Sequence, residues 1–168
     1  GSNFADTIAQ MHSKLGAHAA AIQTPFIVKD ELLGMIDLIE KKLFVYKDAL
    51  GMEIESRDIP ADLLPQFEKD KETLLEKIAE ADDVFMDSFV HGKKMDIPDI
   101  RAAIRRSVIA NKFVPVLCGA SAKNRGTQFL LDAICDYLPS PQDVPAIKGT
   151  NPESGEFEEI KAQDKAPF

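Results

Sequence analysis

Residues Phe113-Val114-Pro115-Val116-Leu117-Cys118-Gly119-Ala120-Ser121-Ala122-Lys123-Asn124-Arg125-Gly126 join an apolar run to a turn of small residues and then to a helix start. The pattern predicts a buried strand, a tight turn and a helix. Hydrogen bonds to its edge distinguish one nucleotide base from another, and backbone N–H groups can make them where side chains do not obstruct. Gly119, Ala120, Ser121 and Ala122 form such a turn. It lies at the carboxyl end of a strand, where α/β proteins bind ligands. Small residues there also simply permit close strand–helix packing. Phosphates need a different element, the G-x-x-x-x-G-K-[ST] run whose N–H groups and lysine cradle them, and this chain has none. His12, His18 and His91 lie far apart without metal-ligand spacing. No Ser–His–Asp pattern stands out either. The expectation is therefore no catalytic residue and no metal site within the chain.

A chain of 168 residues suffices for one sizeable domain or two small ones. Its 45% hydrophobic and 29% charged residues are those of an ordinary soluble protein. A net charge of −8 disfavours a chain-wide grip on nucleic acid, which needs clustered Lys and Arg. It suits a partner with a basic surface. No apolar run approaches the roughly 20 residues of a membrane span. No signal peptide is visible, so a cytoplasmic location is expected and no membrane partner. Cys118 and Cys135 are too far apart for a C-x-x-C motif and are expected to be buried, reduced thiols.

These residues must be positioned by the rest of the chain. Asn3 to Leu15 predicts an amphipathic helix, capped by Asn3 and stopped by Gly16. Gly1-Ser2 is open to two readings, native or a cloning scar. Segments 21–28, 33–39 and 42–46 are short and rich in β-formers, with a further short strand at 52–56, which suggests a small antiparallel sheet. The run Ile59-Pro60-Ala61-Asp62 announces one long helix ended by Gly92, with Phe67, Leu74, Ile78, Ala81, Phe85 and Phe89 as its buried stripe. Pro98 opens a basic helix carrying Arg101, Arg105 and Arg106. These arginines suit either the acidic helix or RNA phosphate. The helix Thr127 to Tyr137 is expected to bury Phe129, Leu130, Ala133, Ile134 and Tyr137 before Pro139-Ser140-Pro141 stops it. Residues 142–168 read as a linker.

The text around the turn carries a longer likeness. Pro115-Val116-Leu117-Cys118-Gly119, Lys123-Asn124-Arg125-Gly126, Leu130-Leu131-Asp132-Ala133, Asp136-Tyr137-Leu138-Pro139-Ser140-Pro141 and Asp143-Val144-Pro145-Ala146-Ile147 follow in order. Upstream come Gln10-Met11, Ser13-Lys14-Leu15, Gln23 with Pro25, Gly34 with Ile36-Asp37-Leu38, Ile59-Pro60-Ala61-Asp62, Leu75-Glu76 and Ala79-Glu80. This series resembles bacterial translation elongation factor G, up to about Gly149. The resemblance implies an α/β fold, a partial P-loop-type GTPase domain with an inserted small α+β subdomain. Residues 1–16 would be a helix of that GTPase domain and 17–112 the insert. Residues 113–141 would be its last strand, guanine-reading loop and last helix, and 142–168 a linker toward a second domain. The parent would use GTP or GDP with Mg in moving transfer RNA and messenger RNA on the ribosome. The chain itself, lacking the phosphate loop, both switch regions and the Asn-Lys-x-Asp motif, would bind no nucleotide. Related translational GTPases, of the ribosomal protection, release or recycling kinds, are the alternative.

One departure bears on the turn. The family usually reads Gly-Ser-Ala, whereas this chain reads Gly119-Ala120-Ser121, and a one-residue shift gives Ser121-Ala122-Lys123. Gly119, Ala120, Ser121 and Ala122 are the implied guanine contacts in the intact parent, with their register open. The family's insert meets the stalk proteins of the large ribosomal subunit, and Glu68, Glu72, Glu76, Glu80, Asp83 and Asp87 are the candidate surface. Like charges at i, i+4 repel by a few tenths of a kcal/mol, roughly, which a basic partner would relieve. A solvated acidic face, or a stand-alone acidic interaction module, reads the same residues differently. Sequence-specific nucleic-acid binding is not expected. If Phe113–Leu117 belongs to a larger sheet, it should show unpaired edges or an exposed apolar face.

Overall fold

A computed structural model describes residues 3–152, 154–160 and 162. Gly1-Ser2 and parts of the expected linker, 153, 161 and 163–168, lie outside the described residues. Helix α1 spans Phe4–Leu15, and the Asn3 side chain caps it by accepting from the Asp6 N–H at 3.3 Å. Strand β1, Ala19–Ala21, pairs in parallel with β6, Val114–Val116. The small side chains of β1 let α1 and the next helices approach closely. A strand within the range 17–112 thus pairs with one within 113–141.

An antiparallel sheet follows, in the order β2 (Gln23–Val28), β3 (Glu31–Asp37), β4 (Lys42–Tyr46), β5 (Ile54–Arg57). Its register depends on Gly34, where an added Cβ would lie 2.0 Å from the Phe44 carbonyl oxygen. The β3–β4 connection is folded by Asp37, whose carboxylate accepts the Ile39 and Glu40 N–H groups at 2.9 and 2.8 Å.

The expected long helix is interrupted. Helix α2 covers Leu64–Ala81 and α3 covers Asp83–Val90. Asp82 between them is extended (φ −130°, ψ 110°) and caps α3 by accepting the Phe85 N–H at 2.7 Å. Its carboxylate also takes Nε and Nη2 of Arg106 at 2.8 and 2.9 Å. Arg106 lies on α4, Ile97–Ile109. A side chain that offers the backbone a cap, held by a guanidinium from another helix, outweighs one continuous helix here.

Phe67, Leu74, Ile78 and Ala81 of α2 and Ile100, Ala103 and Ile104 of α4 are buried in one core, with Phe85, Phe113 and Tyr137. Each of its large side chains contributes on the order of 1.5–3 kcal/mol by burial. Helix α5, Thr127–Tyr137, joins this core less completely than expected. Tyr137 is buried, but Leu130 is 49% and Ile134 43% exposed. Within the expected linker, β7 (Ile147–Thr150) and β8 (Phe157–Ile160) pair antiparallel. Phe157-Glu158-Glu159-Ile160 shows no apolar–polar alternation that would mark it as a strand. Among the described residues no helix is long and apolar enough to cross a membrane.

The Arg106 guanidinium holds the Asp82 carboxyl below its ordinary value. The folded state therefore binds fewer protons at this site than the unfolded one, and stability rises with pH through that window. Asp82→Ala is expected to cost about 1–3 kcal/mol in urea denaturation, through the lost cap and charge-assisted bond. Asp82→Asn should keep the cap and cost less. Its deficit against wild type should shrink as pH falls through the lowered Asp82 pKa.

Candidate functional site: the turn after strand β6

Beyond β6 the chain turns through Leu117–Gly126 into α5. Ala120 and Arg125 face each other across an isolated antiparallel bridge. The Ala120 N–H donates to the Arg125 carbonyl at 2.8 Å, and the Arg125 N–H donates back at 3.1 Å. Between them Ser121–Lys123 make one turn of 3₁₀ helix. The Lys123 N–H donates to the Ala120 carbonyl and the Asn124 N–H to the Ser121 carbonyl, both at 2.9 Å.

The first N–H groups of a helical turn have no partner within it. Among the described residues, the N–H groups of Gly119, Ser121 and Ala122 enter no hydrogen bond, and all three residues are exposed. The Ala120 amide is used inside the turn. Ser121 and Ala122 thus offer two adjacent backbone donors with small side chains. Paired donors select an acceptor. Guanine carries a carbonyl oxygen at the position where adenine carries an amino donor. Two adjacent donors can pair with a carbonyl oxygen, and a cleft of about 240 Å³ beside them is lined by Cys118, Gly119, Ser121 and Leu130 among others. A cavity of about 580 Å³ lies elsewhere, between α1, β1–β2 and α2.

Closure of the turn requires Gly126. Its φ is +91°, and an added Cβ would lie 2.7 Å from the Cys118 carbonyl oxygen. Cys118 is half-buried, and burial pushes its thiol up to about 12. Cys135, expected to be buried, is exposed. It lies on the side of α5 opposite Phe129, Ala133 and Tyr137, the i, i+4 row that faces inward.

The acidic candidates do not share one helix. Glu68, Glu72, Glu76 and Glu80 are on α2, whereas Asp83 and Asp87 lie past the break on α3. Glu68 pairs with Lys41 at 3.0 Å and Glu80 with Lys77 at 2.6 Å. Asp87 lies 3.3 Å from His91 and 3.6 Å from Lys93. Glu72, Glu76 and Asp83 are exposed and in no ion pair among the described residues. The arginines of α4 turn inward to the protein itself. Arg101 pairs with Glu40 at 2.6 Å and Arg106 with Asp82. Arg105 donates to the carbonyls of Asp136 and Leu138, at 2.8 and 3.2 Å, and pairs with Asp143 at 2.7 Å. Arg106 thus meets the end of the acidic helix, while Arg101 and Arg105 bind elsewhere. Among the described residues no group of three or more His, Cys, Asp or Glu is placed to hold a metal ion.

Sequence reasoning missed the residues that hold the turn from behind, Tyr46, Glu31 and the buried Arg125. The run Lys123-Asn124-Arg125-Gly126 was visible as a motif, but nothing local marks Arg125 as buried. Tyr46 and Glu31 carry no signal at all, being ordinary strand residues.

No protein-family model matches the chain. Its fold does have a solved counterpart. A crystal structure of a protein from Thermus thermophilus superposes with a TM-score of 0.74 at 21% identity, over 87% of this chain. The match covers 22% of that protein, so the chain spans about a fifth of its length. At this identity the likeness speaks for the fold alone: mixed α/β, with a parallel pair of strands and a separate antiparallel sheet.

Exposure and the raised Cys118 pKa set an order of reactivity, since the thiolate is the nucleophile. Iodoacetamide at pH 8 should label Cys135 and spare Cys118, as read by peptide mass spectrometry. Both should react in urea. Equal labelling of the native protein would contradict the closed turn.

Proposed function

We propose that the chain is part of a translational GTPase of the elongation factor G kind, comprising its guanine-reading turn and the insert of its GTPase domain. The parent couples GTP hydrolysis to movement of transfer RNA and messenger RNA on the ribosome, in the cytoplasm. One observation carries the reading: two free amide donors, Ser121 and Ala122, stand at the carboxyl end of a parallel strand. They sit within the long ordered series of residues that resembles this family.

The surface around β6 supports it. Among the described residues β6 pairs with β1 alone. Val114, Leu130, Ile134 and Leu138 are each more than two-fifths exposed, on one side of β6 and α5. In the proposed parent the rest of the nucleotide-binding domain covers them. Phosphoryl transfer needs a phosphate cradle, magnesium and a positioned water. The residues here fit only the base. GTP or GDP and Mg would be held by the parent's other residues, and this chain contributes the turn that reads the guanine edge.

The insert contributes a partner surface in the same reading. Among the described residues Glu72, Glu76 and Asp83 are the part of the acidic face in no ion pair, and basic elements of the ribosomal stalk are the proposed partner. Related translational GTPases fit the same turn. A stand-alone acidic module would use the face without it, and the nucleotide experiment separates the two.

In the complete protein, Ser121→Pro removes one donor. Ser121 is the first residue of the 3₁₀ turn, where proline is accepted because the missing N–H breaks no bond inside the turn. Guanine-nucleotide affinity should fall about tenfold, the loss of roughly 1.4 kcal/mol, with weak adenine-nucleotide binding unchanged. The 168-residue chain by itself should show no magnesium-dependent GTP binding in calorimetry, and tight binding would sink the proposal. Charge reversal at Glu72 and Glu76 should weaken stalk binding most at low salt, where surface charges are least screened. Unchanged affinity would remove the acidic face from the reading.

A further inference from the structure

The turn does not hold its own position. A single 3₁₀ turn is a marginal element with poor hydrogen-bond geometry. What locates it comes from the antiparallel sheet. The Gly126 N–H donates to the Tyr46 hydroxyl at 2.6 Å, and Tyr46 is 6% exposed at the end of β4. The Arg125 guanidinium is buried, 5.9 Å from the centre of the Tyr46 ring. It donates to Glu31 Oε1 at 3.1 Å and to the Leu32 carbonyl, both at the start of β3. Lys123 Nζ reaches the same Glu31 oxygen at 3.2 Å. Asn124 Nδ2 donates to the Leu50 carbonyl at 3.3 Å, in the β4–β5 connection. The C-terminal end of the 3₁₀ turn and the residues after it are thus tied to one end of a sheet 70 or more positions away in sequence.

We propose that Tyr46 and Arg125 are positioning residues for the Ser121 and Ala122 amides, so that the antiparallel sheet sets how long a guanine base stays bound. The inference rests on the guanine reading of the turn. Without the Tyr46 hydroxyl, the Gly126 N–H is left buried and unpartnered, and the hinge between turn and α5 relaxes. Two donors aimed at one carbonyl oxygen lose strength steeply with misalignment. By linkage the effect is reciprocal. A bound base orders the sheet edge, and whatever displaces the Glu31 or Leu50 ends of the sheet speeds release of the base.

The test uses Tyr46→Phe, which keeps the buried ring, and Glu31→Gln, an exposed change at Arg125's anchor that leaves the core intact. In the complete protein, release of a fluorescent GDP analogue is followed by stopped flow, with pyrophosphate competition as the control for the phosphate half of the site. Release should speed about three- to tenfold for Tyr46→Phe, the loss expected for one hydrogen bond. Glu31→Gln should act in the same direction and less. Pyrophosphate competition should not move. In the 168-residue chain, amide hydrogen exchange at Gly126 should quicken in Tyr46→Phe. Unchanged release in either folded variant overturns the coupling, even with faster exchange, since Tyr46 then serves stability alone. A wild-type protein that retains no GDP analogue overturns the guanine reading itself, and the coupling with it.

Discussion

The buried guanidinium of Arg125 ties the two halves of the molecule together. Taking a charge out of water costs several kcal/mol unless it is paired and hydrogen-bonded. Here the offset comes from Glu31, the Leu32 carbonyl and the face of the Tyr46 ring, all on the antiparallel sheet. The Arg125 backbone meanwhile closes the turn through its bridge to Ala120. One residue therefore joins the sheet through its side chain and shapes the turn through its backbone. Its Nε finds no partner among the described residues, so the site holds a charge that is satisfied at one end only. Such a group tolerates little rearrangement around it, and it links the turn to the near end of β3 and β4.

The helices answer a different requirement. α2 and α4 bury their stripes against each other and against β1 and β6, and this core spans residues from both sheets' neighbourhoods. Asp82 and Arg106 sit where α2 would otherwise run on. The bidentate pair redirects the chain into α3 and moves Asp83 and Asp87 off the α2 face. The acidic surface is consequently smaller and more local than a continuous helix would present. Part of its charge is already matched by Lys41 and Lys77. On α2 the acidic candidates in no ion pair among the described residues are Glu72 and Glu76.

Much of the fold was legible from the chain because it is encoded locally. The i, i+4 spacing of Leu74 and Ile78, the cap at Asn3, the strand at 42–46 and the stop at Pro139 each depend on residues within one or two turns of one another. The small-residue turn after β6 was legible for the same reason. The β7–β8 pair was not. Its strands are four residues each, and Phe157-Glu158-Glu159-Ile160 does not alternate apolar with polar residues.

The amino-acid sequence by itself determined the strand, the turn and the helix at 113–137, the absence of a phosphate loop, and the buried stripe of α2. Only the tertiary structure decided which amides of the turn are free. That choice depends on the Ala120–Arg125 bridge closing, and the bridge is seated by Glu31 and Tyr46, 94 and 80 positions away. It likewise decided that β1 pairs with β6 and that Asp82 breaks the helix, because Arg106 arrives from 24 residues on. Long-range ion pairs and hydrogen bonds leave no periodicity in a sequence. An arginine that will be buried reads the same as one in water until the fold brings its partners to it.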